Sequence, residues 1–279
     1  MISEIEAKEL LDSKDLISVG MRADEVRRRL RATQTTFVRV FEMHVDALPA
    51  SLPSGMSAGE FRLVGVPRSL DAAVAAVRTG RSVAGSIPLT GFSLGDLIGL
   101  DGSTSFDRTL RVLRDEGLEE ISQVPLDSLE QPAAAIASAR EAGLVVRRLT
   151  VNIQSADRVA LARRARDLQD ELGGFHAFAP LPRTISVASP TTGYDDVKQV
   201  ALTRLVTDNI PSVQVDWQLY GPKLAQFALT IGADDVDGVA AVDPGILGTR
   251  RSPIEEIRGN IRAAGFEPIE RNARFEAIG

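Results

Sequence analysis

Strand-like and helix-like segments alternate along almost the whole of this chain, and that alternation constrains its fold more than any other feature. β-branched and aromatic runs fall at residues 35–47, 61–66, 82–90, 120–127, 145–154, 175–181, 213–220 and 236–242. Helical periodicity fills the intervals at 70–79, 103–116, 131–142, 156–172, 194–208, 222–231 and 252–264. The punctuation agrees: Ser103 or Thr104, Ser155 and Ser252 read as N-caps, Gly80, Gly117, Gly143 and Gly173 as stops, and Pro222 as a first helical residue. Strands separated by helices pair in parallel, because each helix carries the chain back to where the next strand starts. Eight such strands predict an α/β fold of the (β/α)8 TIM-barrel type. One unit departs from the pattern, since residues 47–59 (ALPASLPSGMSAG) form a Pro/Gly/Ser loop where the first crossover helix belongs. That shortening predicts an exposed flank suited to a partner surface. The expected organisation is one barrel domain: N-terminal helices at 1–34, the barrel at 35–242, and a C-terminal helix and tail at 243–279.

Composition narrows the function classes. A net charge of −6 argues against general nucleic-acid binding, and 44% hydrophobic residues supply a large core. The chain has no cysteine, which removes disulfides, thiolate metal sites and cysteine nucleophiles together. The acidic, amphipathic start is unlike a signal peptide, and no apolar run approaches the length of a membrane span. A soluble cytoplasmic protein that contacts neither membrane nor nucleic acid is the expectation.

Parallel strands covered on both faces normally read as continuous apolar runs, and several of these do not. By the period of two, Glu42, His44 and Asp46 oppose Phe41, Met43 and Val45. Ser86 and Thr90 oppose Val83, Ile87 and Leu89; Gln123 and Asp127 oppose Val124 and Leu126. Asn152 and Gln154 oppose Val151 and Ile153; Asp216, Gln218 and Tyr220 oppose Val215, Trp217 and Leu219. These polar faces are expected to share the lumen, as a ligand pocket or as a self-satisfied polar interior. Arg183 and Lys223 follow the sixth and seventh strands and could meet an anionic ligand or lie in surface ion pairs. Glu42, His44 and Asp127 are the candidate acid–base groups, with no metal expected. Asp234, Asp235 and Asp237 read as solvating a turn at the bottom of the barrel, with cation binding as the alternative. His176 reads as structural, near the start of its strand. The basic face of residues 21–31 reads as solvated, and no phosphate loop or metalloprotease motif occurs.

Several segments resemble the aminofutalosine synthase and dehypoxanthine futalosine cyclase family of radical SAM enzymes in menaquinone biosynthesis. They are VGMRADEVRRRLRATQTTFVRV at 19–40, RDLQDELGGFHAFAPL at 166–181, GADD at 232–235 with DG at 237–238, and the closing PIEEIRGNIRAAGFEPIER at 253–271. The resemblance implies a radical SAM barrel. In that family the first strand runs into a CxxxCxxC loop that holds an iron–sulfur cluster; here it runs into FEMHVDALPASLPSG. The segments LTVNIQSADR at 149–158 and VAAVDPGILG at 239–248 also replace family elements that carry chemistry. The implied protein is a cluster-less pseudoenzyme that needs neither a 4Fe–4S cluster nor SAM. It would bind a small pathway intermediate, itself, or an active menaquinone-pathway enzyme. The alternative is a cluster-free enzyme using the polar lumen on a small carboxylated aromatic or nucleoside-like compound.

Overall fold

A computed structural model describes residues 2–49, 51–100, 105–153, 157–184, 191–242 and 254–278. Two helices, α1 (Glu4–Asp12) and α2 (Leu16–Arg31), lead into the long first strand β1 (Gln34–His44). The strands β2 (Glu60–Val64), β3 (Leu89–Ser93), β4 (Glu120–Gln123), β5 (Arg148–Val151), β6 (Ala177–Pro182), β7 (Ser212–Asp216) and β8 (Asp235–Ala240) follow. They lie in the order β4-β3-β2-β1-β8-β7-β6-β5, all parallel. Two isolated bridges, Glu120 with Val145 and Pro125 with Thr150, bring the free edges of β4 and β5 together. The result is a nearly closed eight-stranded TIM-type barrel. No helix among the described residues is long and apolar enough to cross a membrane.

The helices stand outside: α3 (Leu70–Ala84), α4 (Leu94–Ile98), α5 (Phe106–Asp115), α6 (Pro132–Glu141), α7 (Arg158–Leu172), α8 (Gly193–Val206), α9 (Trp217–Leu229) and α10 (Ile254–Ala263). The outward strand residues Met43, Phe61, Leu63, Leu89, Ile121 and Leu149 pack under the first helices. Phe37, Val213, Val215, Val236 and Val239 pack under the last. The flank left by the missing first helix is not bare, contrary to the expectation from the loop's composition. Leu48, Met56 and Ala58 of that loop turn onto the same core, so irregular chain does the covering that a helix does elsewhere.

Three expected boundaries move. Residues 82–90 are not a strand: α3 continues to Ala84 and β3 begins at Leu89. Gly80 does not stop the helix. It is buried there because a Cβ would sit 3.2 Å from Leu89 and 3.3 Å from Met43, and Gly85, at φ 59°, ends the helix instead. Residues 213–220 are a strand only to Asp216. The Asp216 carboxylate then accepts from the Leu219 amide at 2.9 Å and starts α9 on top of the strand, with a break at Gly221 (φ 76°) before Pro222. Ser105 and Asp157 cap α5 and α7, and the expected caps Ser103, Thr104, Ser155 and Ser252 lie outside the described residues.

One element escaped the periodicity altogether. The short strand β9 (Glu267–Glu270) adds to the lower half of β1, on the edge that β2 occupies higher up. From it the chain crosses the bottom of the barrel. Arg274 binds Glu119 at 2.6 Å, and Phe275 stacks on His176 at the start of β6, with ring centroids 5.2 Å apart. Arg271 turns inward and donates through Nε and Nη2 to the buried Asp235 carboxylate, both at 2.6 Å. The barrel thus has a floor, riveted by one bidentate ion pair. Removing one partner of such a pair strands a buried charge. Arg271→Ala is therefore expected to lower unfolding free energy by about 3–5 kcal/mol in denaturant titration. Asp235→Asn in the same background is expected to recover part of that loss.

Candidate functional site

Charged residues at alternate positions of otherwise apolar strands meet inside the barrel. Glu60 and Arg62 of β2, Glu120 of β4, Arg148 of β5, Asp216 of β7, and Asp235 and Asp237 of β8 are all nearly or fully buried. Glu60 Oε1 accepts from Arg62 Nε at 2.8 Å, Arg148 Nη2 at 2.7 Å and the Thr90 hydroxyl at 2.6 Å. Arg62 reaches on to Asp237 at 2.7 Å. Arg183, just past β6, donates to Asp216 at 2.7 Å, Asp237 at 3.2 Å and Gln214 at 3.3 Å. Gln214 passes the chain to Asp235 at 2.7 Å, and so to Arg271. Gly238, at φ 70°, is required because any Cβ would lie 2.8 Å from the Asp216 carboxylate.

The field of these arginines separates the acids. Burial works to raise Glu60, but Arg148 and Arg62 outweigh it and hold the carboxyl at about 2. Asp237 is likewise held well below the carboxylate range, with Arg62, Arg148 and Arg183 overcoming its burial. Glu120 goes the other way: burial pushes it up to about 7, only partly offset by Arg148 and by Arg147, which donates to it at 2.6 Å. Glu120 Oε1, Glu60 Oε2, Thr150 Oγ1, and Arg148 Nε and Nη1 have no hydrogen-bond partner among the described residues.

The expected site residues therefore divide. Thr90, Arg183 and Asp216 do face the lumen, joined through the ion network. Tyr220 stands above it on α9, donating to the Pro182 carbonyl at 2.7 Å, and burial raises its phenol above the usual value. Glu42 and Gln218 meet at the mouth with Val40 and Ala240, around a cavity of about 50 Å³. Gln218 and Tyr220 reach these places from a helix, not from the strand expected. His44 and Asp46 lie exposed at the end of β1, where Asp46 faces Arg68 at 3.5 Å. Ser86 is exposed in the turn before β3, at the opposite end of the barrel from the mouth, because α3 runs past its expected end. Gln123 shares the outward side of β4 with Ile121, since Glu120 takes the inward one. Lys223 is exposed on the outer helix layer beside Tyr194 and Phe227. Gln154 falls outside the described residues.

The acid–base trio is not assembled. Asp127 spends its carboxylate on the amides of Asn152 and Ile153, at 2.7 and 2.8 Å, and Asn152 is exposed and bonded to Thr184. In strand order, β4 and β5 are three and four places from β1 on that side. The aspartate triplet is corrected in both of its readings. Asp234, Asp235 and Asp237 are fully buried, facing Arg204 at 3.0 Å, Arg271 and Arg62 respectively, so they neither solvate a turn nor converge on a cation. Among the described residues no group of three His, Asp or Glu side chains is placed to hold a metal ion. The basic face of α2 is also not wholly solvated: Arg27 is buried, bonded to the Ala233 carbonyl at 3.0 Å and stacked on Phe266. The missed residues carried one legible signal, charged side chains inside short strands otherwise built from apolar and β-branched residues, as in EFRLV at 60–64 and RLTV at 148–151.

Glu120 supplies a test. Its folded value of about 7 lies above its ordinary 4.5, so the folded state binds this proton more tightly than the unfolded chain does. Its contribution to stability is most favourable below 4.5 and declines as pH rises towards 7. The swing is on the order of 3 kcal/mol. Glu120→Gln is expected to gain stability relative to the parent between about pH 5 and about pH 8 in thermal melts. A difference independent of pH would show that Glu120 is ionised throughout.

Comparison with known proteins sets this barrel among relatives. Residues 176–278 match the family described as the CofH/MqnC C-terminal region. Aminodeoxyfutalosine synthase of Streptomyces coelicolor is 37% identical over 142 residues, 43% of this chain and 37% of that protein. Cyclic dehypoxanthine futalosine synthase of the same organism is 28% identical over 200 residues, 62% of this chain and 50% of that protein. The chain thus spans half or less of the length of these two relatives. The solved structure of the FeFe-hydrogenase maturase HydG from Carboxydothermus hydrogenoformans superposes with a TM-score of 0.66, covering 98% of this chain and 77% of that one; at 13% identity it speaks for the fold alone. Over residues 176–278 the chain carries the CofH/MqnC C-terminal region, and it is similar over part of its length to the aminodeoxyfutalosine and cyclic dehypoxanthine futalosine synthases.

Proposed function

We propose that this chain is a non-catalytic, cluster-less barrel linked to the futalosine pathway, which works by binding an active partner enzyme. The observation that carries this reading is the replacement of the cluster loop. The chain that follows β1 offers Leu48, Met56 and Ala58 to the hydrophobic core, and no cysteine occurs anywhere in the sequence. A 4Fe–4S cluster is held by thiolates, so the residues present do not fit it, and no step is derived through one. SAM binding is not expected either. The lumen beneath the mouth is taken up by side chains that satisfy mainly one another. Among the described residues, the cavity between Glu42 and Gln218 is far smaller than the several hundred Å³ of usual small-molecule sites, which favours a protein over a pathway intermediate at that point. The separation of Asp127 from Glu42 and His44 weighs against the acid–base alternative.

The test is affinity capture of the tagged chain from its own organism, with native mass spectrometry of the purified protein. Co-purification of a cysteine-bearing futalosine-pathway synthase is expected, together with no cluster absorbance after anaerobic iron and sulfide treatment. A retained small molecule without any protein partner would transfer the role to the intermediate. Turnover of a pathway substrate by the isolated chain would overturn the reading.

A further inference from the structure

The interior ion network leaves several of its own atoms unpaired, and they gather around one guanidinium. Arg148 of β5 is buried, and its Nη2 donates to Glu60 Oε1 at 2.7 Å. Its other two nitrogens stop short of the acids they face. Nε lies 3.7 Å from Glu120 Oε1, and Nη1 lies 3.6 Å from Asp237 Oδ2. Both separations exceed the range of a direct hydrogen bond. Arg148 Nε and Nη1, Glu120 Oε1 and Glu60 Oε2 all have no hydrogen-bond partner among the described residues. Bulk solvent does not reach them, since Glu60, Glu120, Arg148 and Asp237 are all at most 2% exposed. Glu120 and Arg148 also flank the β4–β5 junction, which isolated bridges join in place of a continuous ladder, so the wall is loosest beside this pair.

The chemistry of these atoms says what fits between them. Glu60, Asp216, Asp235 and Asp237 are matched by Arg62, Arg148, Arg183 and Arg271, and Glu120 by Arg147. An interior already balanced in charge takes a neutral guest: the guanidinium repels a cation, and the carboxylates repel an anion. The guest must accept from Arg148 Nε and Nη1 and donate to the carboxylate oxygens opposite, so it needs both functions. Gaps of 3.6 and 3.7 Å admit a single small oxygen touching both sides and nothing larger. Water meets all of these conditions, and buried water characteristically bridges polar groups that the chain leaves unpaired.

We propose that the barrel interior is a binding site for ordered water, which bridges Arg148 to Glu120 and to Asp237 and holds the guanidinium between the two acids. The site belongs to the scaffold and stands whether or not a partner enzyme binds. A crystal structure of the intact chain at a resolution that shows ordered solvent tests it, together with oxygen-17 magnetic relaxation dispersion in solution. Solvent density is expected within hydrogen-bond distance of Arg148 Nε and Glu120 Oε1, and again of Arg148 Nη1 and Asp237 Oδ2, with a dispersion from water that exchanges slowly with bulk. Glu120→Gln keeps an acceptor oxygen and is expected to keep the full dispersion amplitude. Glu120→Leu removes the acceptor and is expected to lose the part of the amplitude that belongs to the first bridge. Where Glu120→Leu does not fold, the density and dispersion of the parent decide alone. A direct contact from Arg148 to either acid overturns the proposal. So does a gap without solvent density, an ion in either gap, or a folded Glu120→Leu protein with undiminished amplitude.

Discussion

The charge balance inside the barrel is the condition on which the rest of this structure depends. Glu60, Asp216, Asp235 and Asp237 face Arg62, Arg148, Arg183 and Arg271, with Glu120 and Arg147 as a further pair at the margin. Six strands and the floor segment contribute to this set, counting Arg183 to β6 at its end. Buried ion pairs add little net stability over well-packed apolar groups, yet breaking any one is costly. What the arrangement does impose is register. A strand slipped by one residue would turn its charges into the helix layer and its apolar side chains into the lumen. The same charges define the space available to a ligand. Below the mouth, most polar side chains of the lumen are already one another's partners, with Glu120 Oε1, Glu60 Oε2 and Thr150 Oγ1 left over.

Much of the architecture was legible from the chain alone, because parallel strands and covering helices have different periods. The inward faces of β7 and the upper part of β1 were read with the right parity, but the pairing of Arg183 with Asp216 was not foreseen. The errors have local physical causes. Gly80 looked like a stop, but its lack of a side chain serves close packing under Leu89 and Met43. The alternation of VQVDWQLY continued past Asp216 as a pattern, although the aspartate had already capped a helix. Asp234, Asp235 and Asp237 looked like a solvated turn because their arginine partners are remote in sequence, a distance that periodicity does not register. β9 is four residues long, too short to show any period.

The relationship to the futalosine synthases rests most firmly on residues 176–278, which contribute β6, β7, β8, α10 and the floor. Much of the interior network lies in that region or reaches into it. At the other end of the barrel, β1 delivers its chain into a loop whose Leu48, Met56 and Ala58 serve packing. In barrels of this type, stability and chemistry occupy different ends of the same strands.

The floor also orders events in time. Asp235 is translated well before Arg271, and the eight barrel strands are all synthesised before the arginine that neutralises the last of them. A nascent chain can assemble the ring only with the Asp235 carboxylate held by Thr36 and Gln214 and still lacking its countercharge. The floor segment acts as a latch, because this interior charge is cancelled only once residue 271 has followed the eight strands.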